Sequence, residues 1–484
     1  MPGTDPKLKT AEKAEILEKL PEGFLAKRRR IHFIGIGGSG MSGIAQISLN
    51  LGFQVSGSDL LASETTRELE KLGAVISLGH HRKNVNGAEL VVYSSAVSPS
   101  NPELADARER AVPTIPRAEM LAEIIRRVGR SIIVAGAHGK TTTTSLIGTV
   151  FSAAGLDPTV VVGGKLNSLG TGARLGKGGI IVAESDESDG SFLRFFPSVA
   201  VVTNIDFEHL NHYGSMASLE AAFAQFLRQV DKDGLVVAFK EDLRLMRIVR
   251  QIKRGGRRVK TYGFRPEADW SARNIEAQGM GMEFDAYREG KFQGRVRVGT
   301  PGRHNVLNSL AVLAVGEEFK VPLPETARAL ADFTGVQRRF QVYGEHGGIL
   351  VVDDYGHHPT EIRATLRAAR EGFDRRLVVA FQPHRFTRTR DLYREFSAAF
   401  FDADILVLTE IYPASEKPIP GVTGKWLAEE IKKAGHPGVV YVREVDQLVP
   451  RLKKILKPGD LLLTLGAGSI YRVAQKIAAE LQEG

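Results

Sequence analysis

Two glycine-rich loops about a hundred residues apart constrain this chain more than any other feature. The first, Gly35-Ile36-Gly37-Gly38-Ser39-Gly40, follows the apolar run Ile31 to Ile34. The second, Gly136-Ala137-His138-Gly139-Lys140-Thr141, follows Ser131 to Ala135. A glycine loop between a strand and a helix brings backbone N–H groups and a helix N-terminus close to phosphate oxygens. Two such loops of different chemistry imply two nucleotide-bearing ligands, held by an enzyme that splits one of them.

At 484 residues the chain is too long for one core, and chains of this length divide into roughly three domains of about 150 residues. Apolar runs alternate with helical stretches in three series, the pattern of parallel sheets with helices on their faces. The first series has runs at Ile31–Ile34, Gln54–Gly57, Ala74–Ser77 and Leu90–Ser94. The second runs from Ser131 to Ala238 and then changes character after Lys260. There Trp270 to Val298 alternates polar and apolar residues with glycine at the turns, which predicts an antiparallel meander closed by a helix near Asn305–Phe319. The third series starts at Ile349. The expected fold is α/β in three domains: a Rossmann-like parallel sheet over residues 1–127, a central P-loop domain with the meander over 128–335, and a C-terminal Rossmann-like domain over 336–484.

There are no cysteines, which excludes disulfides, thiolate metal sites and a cysteine nucleophile. No apolar run reaches the ~18 to 20 residues of a membrane span. Met1 to Arg29 is polar and charged, without the apolar core of a secretory signal. A cytoplasmic chain with no membrane partner is expected. The net charge is +9, but the basic residues are scattered and their densest cluster is Lys27-Arg28-Arg29-Arg30. Anionic small substrates rather than nucleic acid account for that balance.

In the second loop, Lys140 and Thr141 follow the last glycine and precede a helical stretch to Phe151. This is phosphate-cradling chemistry: loop N–H groups hold phosphates, Lys140 reaches their oxygens and the Thr141 hydroxyl can ligate Mg²⁺. The longer form of the motif would place a glycine at Val134, so the loop is a shortened version. Further metal ligands are expected at strand ends. Glu184 ends the run Gly179–Ala183, Asp186, Glu187 and Asp189 follow it, and His209 follows another apolar run.

The first loop, Gly35-x-Gly37-x-x-Gly40, has Asp59 nineteen residues after it. That matches a dinucleotide fingerprint, with the acid on a ribose. NAD is the default ligand, and another nucleotide diphosphate would use the same contacts. The C-terminal series carries Asp353-Asp354-Tyr355-Gly356-His357-His358 after one strand and Gln382-Pro383-His384-Arg385-Phe386-Thr387-Arg388 after the next. Ligands of open parallel sheets bind beyond strand carboxyl ends, and the arginines suit a carboxylate.

At these residues the chain resembles the Mur ligase family. The stretches that carry the resemblance are HFIGIGGSGMSGIA from His32, GSD from Gly57, YSSAVSPSNPEL from Tyr93, AHGKTTTT from Ala137, ESDESDGSFL from Glu184, TNID from Thr203, GRHNVLNSLA from Gly302, GVQRRF from Gly335, DDYGHHPTEI from Asp353, QPHRFTRTRDL from Gln382 and PIPGVTG from Pro418. The resemblance implies that the first loop (Gly35, Gly37, Gly38, Ser39, Gly40) with Asp59, Ser94 and Ser95 holds the UDP of UDP-N-acetylmuramate rather than NAD. It implies ATP at Gly136, Ala137, His138, Gly139, Lys140, Thr141, Thr142, Asn305, Asn308, Arg338 and Asp353. Magnesium falls on Thr141, Glu184 and His209, catalysis on Lys140, Glu184, His209 and Arg338, and an amino acid on Tyr355, His357, Arg385 and Arg388.

The implied reaction is ATP-driven amide formation between the lactyl carboxylate and L-alanine, in peptidoglycan precursor synthesis, by a monomer or homodimer. Two departures stand out. Ala137 replaces the usual Thr or Asn, and Met216 to Gln229 lacks the lysine that later members modify. The second departure favours the alanine-adding branch. A tripeptide-adding relative of the same family, an NAD-dependent dehydrogenase and a non-catalytic nucleotide-binding module are the alternatives.

Overall fold

The computed structural model describes residues 25, 28–94, 97–163, 172–185, 187, 190–206, 213–414 and 416–483. The lead-in over residues 1–20 and the expected site residues Ser95, Asp186, Asp189 and His209 lie outside the described residues. The chain divides into two compact units. One comprises Met1–Ala272, Ala286–Gln293 and Asn308–Leu330; the other comprises Arg273–Asp285, Gly294–Leu307 and Ala331–Gly484.

The first unit begins with β1 (Arg30–Ile34), β2 (Gln54–Asp59), β3 (Val75–Leu78), β4 (Leu90–Tyr93) and β5 (Thr114–Pro116). Their order is β3-β2-β1-β4-β5, parallel throughout. Ile31 to Ile34 are buried without alternation, as expected of a strand covered on both faces. Helix α1 (Ser39–Asn50) starts directly from the first loop, capped by Gly38. Met41, Ile44, Ala45 and Ile47 form its buried side. Strand order reverses between β1 and β4, so the loop opens at the switch point of the sheet.

Seven strands of the second, ten-stranded sheet are β6 (Arg130–Ala135), β7 (Thr159–Val161), β8 (Ala173–Arg174), β9 (Ile180–Glu184), β10 (Val199–Val202), β11 (Leu235–Phe239) and β12 (Arg258–Gly263). Their order is β12-β11-β10-β6-β9-β7-β8, with only β8 antiparallel. Helix α2 (Lys140–Ala153) follows the second loop and buries Leu146, Ile147, Val150 and Phe151. The parallel sheet runs past Lys260, through Gly263. Its last strand reads as polar because Arg258 and Lys260 are held by Glu318 and Glu317 of the same unit. The expected meander is present as β13 (Trp270–Gln278), β14 (Gly281–Arg288) and β15 (Lys291–Val298). Its second turn, Glu289-Gly290, has φ of 48° and 76°, which suits a tight hairpin. Helix α3 spans Arg303–Glu318.

The second unit carries β16 (Gln341–His346), β17 (Ile349–Asp354), β18 (Arg376–Phe381), β19 (Ile405–Leu408), β20 (Val439–Tyr441) and β21 (Asp460–Leu465). Their order is β16-β17-β21-β18-β19-β20. Only β16 is antiparallel, with an irregularity at Val342/Gly344; its polar sequence concealed it. Helix α4 (Pro359–Gly372) follows β17, and α5 (Tyr471–Glu483) follows β21. Val352, Val379 and Leu463 enter one apolar cluster and Val351, Val378 and Leu462 the other, because successive strand residues face opposite sides. The two charged loops follow strands that are consecutive in the apolar series but not neighbours in the sheet, since β21 pairs with both β17 and β18 and separates them. Among the described residues no helix is long and apolar enough to cross a membrane.

Candidate functional site

The second loop turns between Ala135 and Lys140 through two glycines with φ of 128° (Gly136) and 83° (Gly139). A Cβ at Gly136 would lie 2.8 Å from the Asn204 carbonyl oxygen, and one at Gly139 would lie 2.9 Å from Asn308 Oδ1. Backbone conformation and space therefore both require glycine. Asn204 clamps the loop. His138 N–H donates to its Oδ1 (3.0 Å), its amide donates to the His138 carbonyl (3.0 Å), and Ala137 N–H donates to its carbonyl (3.2 Å). These bonds hold the Ala137 position through its backbone, with no need of the side-chain hydroxyl that the sequence lacks.

His138 Nε2 lies 3.0 Å from Asp206 Oδ2. Thr143 donates to Asn308 Oδ1 (3.2 Å), while Thr141 and Thr142 are half-buried at the start of α2. The Lys140 ammonium donates to the Gly136 and Ala137 carbonyls (2.5 and 3.2 Å) and to Glu187 Oε1 (2.9 Å). Glu184 ends β9 opposite Val134 of β6, at the same end as the loop. Its buried Oε2 has no hydrogen-bond partner among the described residues.

At the first loop, Asp59 accepts from Gly37 N–H (2.8 Å) and Leu60 N–H (2.8 Å), so it braces the loop. A Cβ at Gly37 would meet that carboxylate at 2.9 Å. Gly35 lies beside Ser94 at the end of β4, and Gly40 lies against the Arg117 guanidinium. Ser39 is the first residue of α1. Beneath the loop, Glu103 is fully buried and accepts from Ser58 (2.6 Å), Asn84 (2.5 Å) and His81 N–H (3.3 Å). Burial opposes its ionisation, but the His32 ring 3.6 Å away and the hydrogen bonds from Ser58 and Asn84 win and hold it at about 2.

In the second unit Arg338, at φ 60°, donates to Asp353 Oδ2 (3.1 Å) and to the Gly466 carbonyl. Its guanidinium lies over Tyr355 (4.9 Å) and Tyr471 (4.6 Å). Asp353 is fully buried, accepts from Thr464 (2.6 Å), and is pushed up by burial against the pull of Arg338. Asn305 donates to the Pro301 carbonyl (2.7 Å). Asp354, raised by burial to about 6, accepts from Phe340 and Gly356 N–H (both 2.7 Å) and ties the Arg338 loop to the Tyr355 loop.

Tyr355 and His357 meet edge to face at 5.4 Å, His357 lies 5.6 Å from His384, and His384 stacks on Tyr412 at 5.6 Å. Arg388 Nη1 reaches the His384 ring nitrogen (3.2 Å). Three of the four residues expected around an amino acid thus join through His384, which sequence reasoning left without a role. Arg385 is exposed, with φ 73° and ψ 136°, a conformation that costs a non-glycine residue of order 1–3 kcal/mol and recurs at ligand clamps. Asn204, Asp206 and Glu103 were likewise missed. Their only signal was membership of TNID and of the stretch from Tyr93.

Burial, reinforced by Arg388, holds His357 down at about 3 and His384 at about 4. An unfolded histidine titrates near 6.5, so below that pH the unfolded chain binds protons that the folded site refuses. This contribution to stability is complete above pH 6.5 and is lost as pH falls through 4. Replacing either residue with Asn should flatten the fall of Tm between pH 6.5 and 4, because each tenfold difference in proton affinity between the folded and unfolded chain is worth about 1.4 kcal/mol. Thermal melts across that range check it; parallel wild-type and variant curves would contradict it.

Three family models match consecutive parts of the chain: Mur ligase family, catalytic domain, over residues 30–128; Mur ligase middle domain, over 134–316; and Mur ligase, glutamate ligase domain, over 338–468. The chain belongs to the Mur ligase family. Among its relatives, a UDP-N-acetylmuramate–L-alanine ligase of Sorangium cellulosum is 52% identical over 462 residues, 95% of this chain and 98% of that protein. One of the same name from Geobacter sulfurreducens is 52% identical over 459 residues, 94% and 98% of the two chains. The crystal structure of a UDP-N-acetylmuramate-alanine ligase from Thermotoga maritima superposes with a TM-score of 0.81 at 32% identity, covering 94% and 99%. A murein peptide ligase from Psychrobacter arcticus, at 23% identity and a TM-score of 0.69, shares the Mur ligase fold.

Proposed function

We propose that this Mur ligase joins L-alanine to the lactyl carboxylate of UDP-N-acetylmuramate, consuming ATP and releasing ADP and phosphate in peptidoglycan synthesis. The observation that carries this reading is 52% identity over 95% of the chain to a relative named for that reaction. In the proposed division of labour, residues 1–127 bind the UDP-sugar, 128–335 bind ATP and 336–484 bind the amino acid.

The lactyl carboxylate attacks the γ-phosphorus of ATP, the bond to ADP breaks, and an acyl phosphate forms. The alanine amine then attacks the acyl carbon; the C–N bond forms, phosphate leaves with the bonding pair, and the amine gives up a proton. The first step brings two anions together, so its barrier is set by how well they are neutralised. Lys140, already inside the loop, supplies one charge, and Arg338 supplies another while Asp353 orients it. Asn308, on the floor of the loop, and Asn305 serve the adenine side, and Asp353 the ribose.

The Oε2 of Glu184, without a hydrogen-bond partner among the described residues and at the loop end of the sheet, fits a divalent cation, with Thr141 and His209 as the further proposed ligands. Bound magnesium would neutralise phosphate oxygens and orient the γ-phosphate. The first loop and the start of α1 that it leads into take the diphosphate of the UDP-sugar, with Asp59 close to the ribose and Ser94 and Ser95 as further contacts. Arg388 and Arg385 grip the alanine carboxylate, and Tyr355 and His357 line the pocket.

The test is ADP release on mixing ATP, magnesium and UDP-N-acetylmuramate with single amino acids. Release should depend on the UDP-sugar and be fastest with L-alanine. Release only with a peptide would favour the tripeptide-adding alternative, and tight NAD binding without UDP-sugar binding would overturn the assignment of the first loop.

A further inference from the structure

Glu187 has no part in the reaction just described, yet it is the charged partner of the loop lysine. Its carboxylate lies 2.9 Å from Lys140 Nζ, and the two side chains are only 3% and 15% exposed. A Tyr213 hydroxyl bond to its main-chain carbonyl helps to position this residue. Lys140 completes its coordination with the Gly136 and Ala137 carbonyls. The ammonium is therefore fully engaged by the protein's own oxygens before any phosphate arrives.

We propose that Glu187 is the resting counter-ion of Lys140, a positioning residue that holds the ammonium inside the loop and that a nucleotide's phosphates must displace. This rests on the reading of Lys140 as the phosphate lysine. A buried ammonium without a partner is strongly destabilised, so the pair keeps the empty loop in its working conformation. Displacement has a cost, because phosphates enter beside a carboxylate that has lost its cation. Glu187 thus lowers the affinity for every nucleotide and selects for ligands with enough negative charge to take the lysine.

Linkage gives the sign. Whatever weakens the resting pair without touching the bound state raises nucleotide affinity by the same factor. Glu187→Gln keeps the shape and removes the charge. Its resting Tm should fall, its ADP Kd with magnesium present should drop about ten-fold, and ADP should raise its Tm by more than it raises that of the wild type. A second comparison separates pairing from packing. Lys140→Ala removes the ammonium that faces the buried Glu187 carboxylate, so Glu187→Gln should raise Tm in the Lys140→Ala background although it lowers Tm alone, a reversal of sign across the double-mutant cycle.

The measurements are calorimetric titration with ADP and thermal melts of the four proteins. A Glu187→Gln chain that binds ADP no tighter than the wild type, or that loses stability in both backgrounds, overturns the proposal and leaves the ATP reading intact. A wild-type chain that binds no ADP overturns both.

Discussion

Removing the loop ammonium should cost about 10²- to 10³-fold in kcat, equivalent to about 3 to 4 kcal/mol of transition-state stabilisation. Lys140→Ala alone is a poor test, because it takes the ammonium away from the buried Glu187 carboxylate, and breaking a buried pair by removing one partner costs about 3–5 kcal/mol of stability. The cleaner comparison is Lys140→Ala/Glu187→Gln against Glu187→Gln. Both lack the buried negative charge, so the difference in rate reports the ammonium on the transferring phosphoryl group. A folded double variant with kcat near that of Glu187→Gln would remove Lys140 from the chemistry.

Replacing Arg388 with Lys should raise the KM for alanine about ten- to hundred-fold, or about 1.4 to 2.7 kcal/mol, before it alters the KM for ATP. A guanidinium presents parallel N–H donors that fit a carboxylate bidentately, and an ammonium cannot reproduce that fork. Arg388 also touches His384, the link between the His357 loop and Tyr412, so its loss disturbs the pocket wall as well as the charge. Arg385→Lys should act in the same direction with a smaller effect, because that side chain is exposed. Kinetics at saturating ATP and UDP-sugar decide the matter. Normal alanine KM in both variants, with weakened ATP, would assign these arginines to the phosphate site.

The three α/β series were legible because buried parallel strands read as uninterrupted apolar runs. Ile31–Ile34, Ser131–Ala135 and Leu461–Leu465 are found within a residue of where hydropathy puts them. Strands whose polar residues are satisfied by distant partners were not legible. β12 hides its register behind Arg258 and Lys260, and β16 behind a polar, irregular edge.

The sequence by itself determined the two glycine loops, the lysine and acids that follow them, and the family. Each of these depends on short-range spacing, on a glycine where φ must be positive, and on a strand that runs directly into a helix. Only the tertiary structure decided which side chains meet. β21 inserts between β17 and β18, Asn204 closes on a loop 66 residues away, and Glu187 reaches Lys140 across 47 residues of chain. Such pairings follow from strand order and from the need to partner every buried charge, and neither leaves a periodic mark on the residues involved.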